Sequence, residues 1–420
     1  MLVAAASNVL ATYYVSRLGA DAIAALALVF PIALLATTAT AGGLGAGASS
    51  AVARALGGGR RADATRLAEH ALVLAAGCGL IFGATIGWGA PAIFRLMGGQ
   101  GAVLDGAVLY SRVLFGGATI TFLGSMLDSL LRGEGNVRIP ALWSTVSLGL
   151  QMVVTPLFMF AAGLGLVGAP IAILSSQLVA TVARGWFVLS GRGQLHPRPW
   201  PRPMRGGDMA ELLKVGVPAS LSSTVTYLGM MIQTGVFARL GTAELAAYGL
   251  GTRLDFILLT FVFGFGAAVL TLVGMAVGAR RSAQVTAYVR QAAIIVVTLL
   301  LVPSVILWWR PEWWLGLFTQ EAAVIEVGRS YFRIIGPSYP FLGVAMLTSF
   351  AFQGLGRAAV PLAWMVVRVI AVVCAAVVGT RWFGWGAREC FAAVAVGNVA
   401  SAIMLTGLLR QAIRRGRLLA

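Results

Sequence analysis

Arg17-Leu18-Gly19, followed by Ala24-Ala25, Gly42 and Ala46, returns in the same register as Arg239-Leu240-Gly241, followed by Ala246-Ala247, Gly264 and Ala268. Farther along, Gly133-Glu134-Gly135 with Pro140 is answered by Gly354-Leu355-Gly356 with Pro361. A repeat this long means that one helical unit was copied. In membrane proteins such a pair encloses a substrate site, and its two lobes rock around it. Transport is therefore the first reading of this chain.

Composition agrees. The 420 residues are 59% hydrophobic and only 11% charged, with a mean hydropathy of +0.89. A water-soluble fold of this size would expose large apolar patches. Apolar segments long enough to cross a bilayer, roughly 20 residues each, are expected at 2–16, 23–53, 64–89, 108–131, 140–162 and 166–189. A second set follows at 209–237, 245–276, 285–308, 327–352, 360–382 and 390–409. The expected architecture is an all-α integral membrane protein, twelve transmembrane helices in two six-helix bundles related by a pseudo-two-fold axis along the membrane normal. Residues 1–190 form the N-terminal lobe, 191–207 a proline- and arginine-rich, solvated interlobe linker, and 208–420 the C-terminal lobe and tail.

Arginine sets the orientation. The even-numbered loops and the tail hold Arg60, Arg61, Arg132, Arg138, Arg192, Arg198, Arg202, Arg280, Arg281, Arg357, Arg414, Arg415 and Arg417, among others. The odd-numbered loops hold Arg17, Arg95, Arg239, Arg310, Arg381 and Arg388. The positive-inside rule then places both termini and the linker in the cytoplasm of a multi-pass plasma-membrane protein. The net charge of +17 is a topology signal that also attracts anionic lipid; no nucleic-acid module accompanies it, and the chain is read as a monomer. Cys78, Cys374 and Cys390 read as small buried hydrophobes, and His70 and His196 as interfacial polar residues. The first span is short, and more chain before Met1, or trimming of this segment, is expected; it lacks the charged start and cleavage site of a signal peptide.

The text Tyr14-Val-Ser-Arg-Leu-Gly-Ala-Asp-Ala-Ile-Ala-Ala-Leu, then Gly45-Ala-Gly-Ala and Leu130-Leu-Arg-Gly-Glu-Gly-Asn, resembles the multidrug and toxic compound extrusion (MATE) family. So do Ala247-Tyr-Gly-Leu-Gly-Thr-Arg-Leu-Asp and Gly274-Met-Ala-Val-Gly-Ala in the second half. The resemblance covers nearly the whole chain in order. It implies a V-shaped pair of bundles, a cleft bounded by spans 1, 2, 7 and 8, and cation-coupled export of amphipathic, often cationic compounds. The glycines of these motifs also serve packing: Gly42-Gly-Leu-Gly-Ala-Gly and Gly264-Phe-Gly-Ala-Ala allow close helix approach or a bend.

Ionisable groups at bilayer depth are the sharper signal, because each is costly unless paired or wet. Asp255, about 15 Å along the eighth span from Leu245, lies near mid-membrane, and in the family an acidic residue at this place couples transport to a proton or sodium. The other reading of Asp255 is a static ion pair, with Arg368 of the eleventh span as partner; Arg253 points elsewhere on the helix. Two departures stand out. Ala11 replaces the first-span aspartate of many relatives, with Gln233 at its repeat equivalent, and the tenth span has no mid-helix carboxylate. Proton coupling through the N-lobe and a multi-carboxylate sodium cage both lack their residues. Asn8, Thr12, Thr226 and Gln233 either line the cleft or join helices by hydrogen bonds. Tyr13, Tyr227 and Phe256 offer aromatic faces to a lipophilic cation, and Arg253 joins the cleft candidates. Asp128, one turn before Arg132, reads as interfacial and paired with a nearby arginine.

Three classes of function compete. A secondary-active exporter of amphipathic small molecules by antiport explains the duplication and the few buried charges, with membrane lipids as its other partners and no cofactor beyond the coupling proton or sodium. A flippase for a lipid-linked precursor shares the architecture but needs several cavity-facing cations. A membrane-embedded enzyme would need a zinc pair, a nucleophile elbow or paired aspartates, and none is at bilayer depth in the sequence.

Overall fold

The computed structural model describes residues 7, 10, 13–15, 17–198, 203 and 205–414. The first expected span, with Asn8 and Thr12, lies largely outside the described residues, as do Arg202, Arg415 and Arg417. The described chain is helical and divides into two compact units, one ending at Gly216 and the other running from Val217 to the end, with Gly57–Gly59 joining the latter.

Nine helices are long and apolar enough to cross a membrane among the described residues, from Arg61–Leu96 to Ala387–Arg414. A tenth crossing is the pair Gly101–Gly116 and Ala118–Gly133, bent by 47°. The second expected span is helix Ala20–Thr37, a π-helical turn Thr38–Leu44 and helix Gly45–Gly57. With these pieces, each expected span after the first has its helix. Outward faces are apolar, as in a lipid-facing protein: Leu80 and Ile81, Val182 and Trp186, and Ile294 and Ile295 are all exposed. Lipid supplies no solvent-exclusion force between such helices, so close contact falls to small residues. Gly79 faces the backbone of Thr119, and Gly354 faces the carbonyl of Leu270 and the side chain of Val273.

The breaks have local causes. Around the π-turn, Thr37 and Thr38 donate side-chain bonds to the carbonyls of Leu34 (2.9 and 2.8 Å) and Thr40 donates to Ala36, competing with the helical ladder. Gly42 and Gly43 add backbone freedom there. The matching glycines of the second unit bring no break: Thr242–Gly278 is one continuous helix. The fourth span bends at Gly117, and the tenth breaks at a 3-10 turn, Gly336–Ser338, between helices Ala322–Ile335 and Tyr339–Gly354. Counting back equally from the repeat glycines Gly133 and Gly354 lands on Gly117 and Ser338. Both copies interrupt the same helix at the same place.

Three sequence expectations are corrected. The linker does not run free through solvent at its first half. Gln194 and Leu195 donate their backbone N–H groups to Glu134 (2.8 and 3.3 Å), and Leu195 is buried in the first unit's core. His196 donates its N–H to Thr65, and Arg198 to Glu69 (3.4 and 3.1 Å). A single leucine in a proline-rich stretch gives no periodic signal, yet it docks the segment. His70 is wholly buried rather than interfacial, with Nδ1 3.3 Å from Asp208, which Arg66 also grips at 2.6 Å. The third span thus holds both the first half of the linker and the start of helix Gly206–Leu240. Cys374 is exposed on the eleventh span, Cys78 half-buried and Cys390 buried.

Candidate functional site

Asp255 sits on the continuous eighth-span helix, Thr242–Gly278. Its carboxylate accepts two hydrogen bonds: from the Tyr331 hydroxyl to Oδ2 at 2.8 Å, and from the Tyr339 hydroxyl to Oδ1 at 2.7 Å. The tyrosines flank the Gly336–Ser338 break, so the two halves of the tenth span each send one phenol to one acid. Both rings are 1% exposed. Gly251, one helical turn before Asp255, is why Tyr331 fits: a Cβ there would collide with its ring. The ring is also wedged edge-on against Phe391 (5.0 Å) and Phe332 (5.2 Å), with Phe237 stacked on Tyr248 beyond. Rings from spans 7, 8, 10 and 12 thus fix one phenol. A cavity of about 10 Å³, lined by Asp255, Tyr339 and apolar side chains including Leu258 and Leu300, leaves room for about one water.

The expected partner of Asp255 is corrected. Arg368 makes no ion pair with it among the described residues. Its Nη2 donates to Asn398 Oδ1 at 2.5 Å, while its buried Nε has no hydrogen-bond partner among the described residues. Asn398 Nδ2 in turn donates to Ser338 Oγ at 2.9 Å. Ser338 directly precedes Tyr339, so the two charges meet the same break from two sides. The break is further pinned by Ser304, whose hydroxyl donates to the Gly336 carbonyl at 2.6 Å. Sequence depth found Asp255 and Arg368. It missed Tyr331, Tyr339, Ser338 and Asn398, whose only early signal is the Gly336-Pro337-Ser338 punctuation inside an apolar run.

The other candidates lie apart from this cluster. Arg253 is exposed, with its guanidinium 6.0 Å from the Phe318 ring centroid. Phe256 is exposed, and Tyr227 and Gln233 are half-buried. Thr226 is exposed, and its hydroxyl bonds back to the Ser222 carbonyl at 2.8 Å. None of these five bonds Asp255. Tyr13 is half exposed and accepts a bond from Arg17 at 2.6 Å.

The first unit carries a different, partly buried acid. Asp128 Oδ1 lies 2.9 Å from Arg184 Nε, and Arg184 Nη2 donates to Ser144 at 3.0 Å. The pairing expected for Asp128 is present, with an arginine from the sixth span that sequence reading did not single out. Near the fourth span's end, outside the membrane helices, burial pushes the Glu134 carboxyl up from its ordinary range, while the N–H groups of Gln194 and Leu195 oppose that rise. No group of three or more His, Cys, Asp and Glu side chains could hold a metal among the described residues.

A duplicated, many-spanned helical chain with an acid held by two hydroxyls at depth has the architecture expected of a membrane transporter. The MatE family model matches residues 1–157 and 218–378, and the chain belongs to that family. It is 25% identical over 376 residues to a Shewanella oneidensis protein named FAD transporter, covering 86% of this chain and 80% of that one. It is 24% identical over 320 residues to the probable multidrug resistance protein NorM of Thermotoga maritima, covering 75% and 69%. Among solved structures it resembles a MATE crystal structure in the bent conformation, with TM-score 0.93, 26% identity and coverage of 99% and 92%. It also resembles a MOP superfamily transporter from Pyrococcus furiosus described by the reverse polarity of its binding pocket, with TM-score 0.91, 26% identity and coverage of 99% and 93%. The multidrug names among the relatives support efflux transport.

Proposed function

We propose that this protein is a proton-coupled antiporter that exports amphipathic, cationic small molecules by alternating access, with Asp255 as its coupling carboxylate. The observation that carries this reading is the hydroxyl cradle: the acid is held by two phenols and, among the described residues, by no cation. A carboxylate neutralised by a fixed arginine gains little from binding a proton, whereas one held by hydroxyls is free to change charge. Three oxygen-bearing side chains and space for one water favour a proton over sodium, which seeks a fuller shell of oxygens. Both termini face the cytoplasm in this reading, by the arginine asymmetry.

The test is uptake of ethidium into inside-out proteoliposomes under an imposed proton gradient, and separately under a sodium gradient. Uptake on the proton gradient alone is expected, and its loss in Asp255→Asn. Uptake on sodium alone overturns the proton assignment. Labelling of Ser190→Cys or Ser282→Cys from outside intact cells is expected to fail; ready labelling reverses the orientation. The Shewanella relative's name favours one second reading, in which the cargo is a flavin dinucleotide. FAD that competes with ethidium, or is carried in its place, moves that reading ahead.

A further inference from the structure

At the end of the ninth span away from the Arg280-Arg281 loop, an open cavity of about 490 Å³ is lined by Trp309, Arg310, Glu312, Trp313, Arg329 and Arg333. That face of the protein is otherwise poor in arginine, which makes a gathering of three conspicuous. Glu312 accounts for one: its Oε1 lies 2.6 Å from Arg329 Nε. Arg333 also lies within electrostatic reach of Glu312, but neither it nor Arg310 forms an ion pair among the described residues. The Arg310 guanidinium instead lies 5.3 Å from the Trp309 ring centroid. Three guanidinium groups against one carboxylate leave the cavity with an excess of positive charge that an anion would offset.

What surrounds it identifies the anion's carrier. Trp309 and Trp313 are 69% and 67% exposed, an indole pair at the end of an apolar span, the position of a headgroup-level aromatic belt. Below Trp309, Val302 and Val305 fall on the same helical face at turn spacing, and both are exposed. A charged pocket thus opens directly onto an apolar strip running into the bilayer. Soluble anions need only the pocket; a phospholipid uses both parts. We propose that this cavity binds the headgroup of an anionic phospholipid from the leaflet opposite the arginine-rich loops, with Arg310 and Arg333 on its phosphate, Trp309 and Trp313 beside its glycerol, and an acyl chain along Val305 and Val302. The proposal concerns a lipid site and does not depend on the coupling role of Asp255.

The experiment is thermal stabilisation of the full-length protein in neutral detergent, titrated with short-chain phosphatidylglycerol, short-chain phosphatidylcholine and inorganic phosphate. Phosphatidylglycerol is expected to raise the melting temperature saturably, with phosphatidylcholine weaker and phosphate inert at equal concentration. In Arg310→Gln/Arg333→Gln the phosphatidylglycerol affinity is expected to fall about tenfold or more. Arg310→Lys/Arg333→Lys should retain most of it, and serves if the glutamine pair does not fold. Unchanged lipid affinity in the glutamine pair overturns the site. Equal stabilisation by inorganic phosphate overturns the lipid and leaves a soluble-anion pocket. Native mass spectrometry of the same variants checks the count: one retained phosphatidylglycerol fewer than the wild type is expected, and an equal count refutes the assignment.

Discussion

Asp255 and Asp128 are both partly buried acids on apolar helices, one in each copy of the repeat, and they are held in opposite ways. Asp128 meets Arg184, a cation 2.9 Å away that is itself anchored by Ser144. Asp255 meets two phenols. An arginine cancels charge and fixes it, so the first pair is a static weld. Hydroxyls solvate charge without cancelling it, so the second acid remains able to trade a cation. Depth alone does not separate a structural from a working carboxylate; the chemistry of its partners does.

The comparison breaks most decisively by removing each charge in turn. Asp255→Asn is expected to reduce gradient-driven efflux to the gradient-free background while the protein inserts normally and still binds ethidium, as read by fluorescence anisotropy. Asp128→Asn should do the converse: transport persists per folded molecule, but Arg184 is left buried without its counter-charge, a loss of about 3 kcal/mol read as a lowered melting temperature in detergent. If both variants lose transport equally, the distinction between weld and working acid fails.

A smaller effect sharpens the phenol side. Tyr339→Phe removes one hydrogen bond to an ionisable group, a change of about 1.5–3 kcal/mol, and should shift the pH midpoint of transport without abolishing it. Gly251→Ala should act on the same readout from a distance, because it displaces the Tyr331 ring. An unshifted midpoint in both would mean that the phenols do not govern Asp255. The smallest effect belongs outside the membrane. Both linker N–H groups donate to the same oxygen of Glu134, Oε2, so Glu134→Gln keeps that acceptor but removes its charge; a loss of about 1 kcal/mol is expected, visible as faster proteolysis after Arg192 with transport unchanged.

Much of this was legible in the residues. The repeated Arg-Leu-Gly and Gly-x-Gly phrases and the apolar run lengths marked the spans, and spacing along the eighth span put Asp255 at depth. Side-chain partnerships were not legible, because they join residues far apart in sequence. Tyr331 and Tyr339 look like any aromatic in a membrane helix, and only the packing of spans 8 and 10 turns their hydroxyls to one acid. Arg368 was the natural partner for Asp255 when depth was the only guide, but its helix offers it to Asn398. The symmetry of the repeat also misled in one place: Gly42 belongs to a π-helical turn, while Gly264 lies in an unbroken helix. Three threonines precede the first glycine pair and bond to the backbone; at the matching places of the second copy stand Leu259, Thr260 and Val262, of which Thr260 alone makes such a bond, to the Phe256 carbonyl.

The two phenols fasten different lengths of a severed helix to a single acid, and the arithmetic of donors and acceptors then has a mechanical side. An ionised carboxylate offers lone pairs on both oxygens and can hold both hydroxyls as donors. Once one oxygen carries a hydrogen, that oxygen becomes a donor itself, and the tyrosine facing it must turn its own hydrogen elsewhere or let go. Charge at Asp255 therefore sets how the halves of the tenth span are stapled. One proton is enough to reverse or release one of the two bonds.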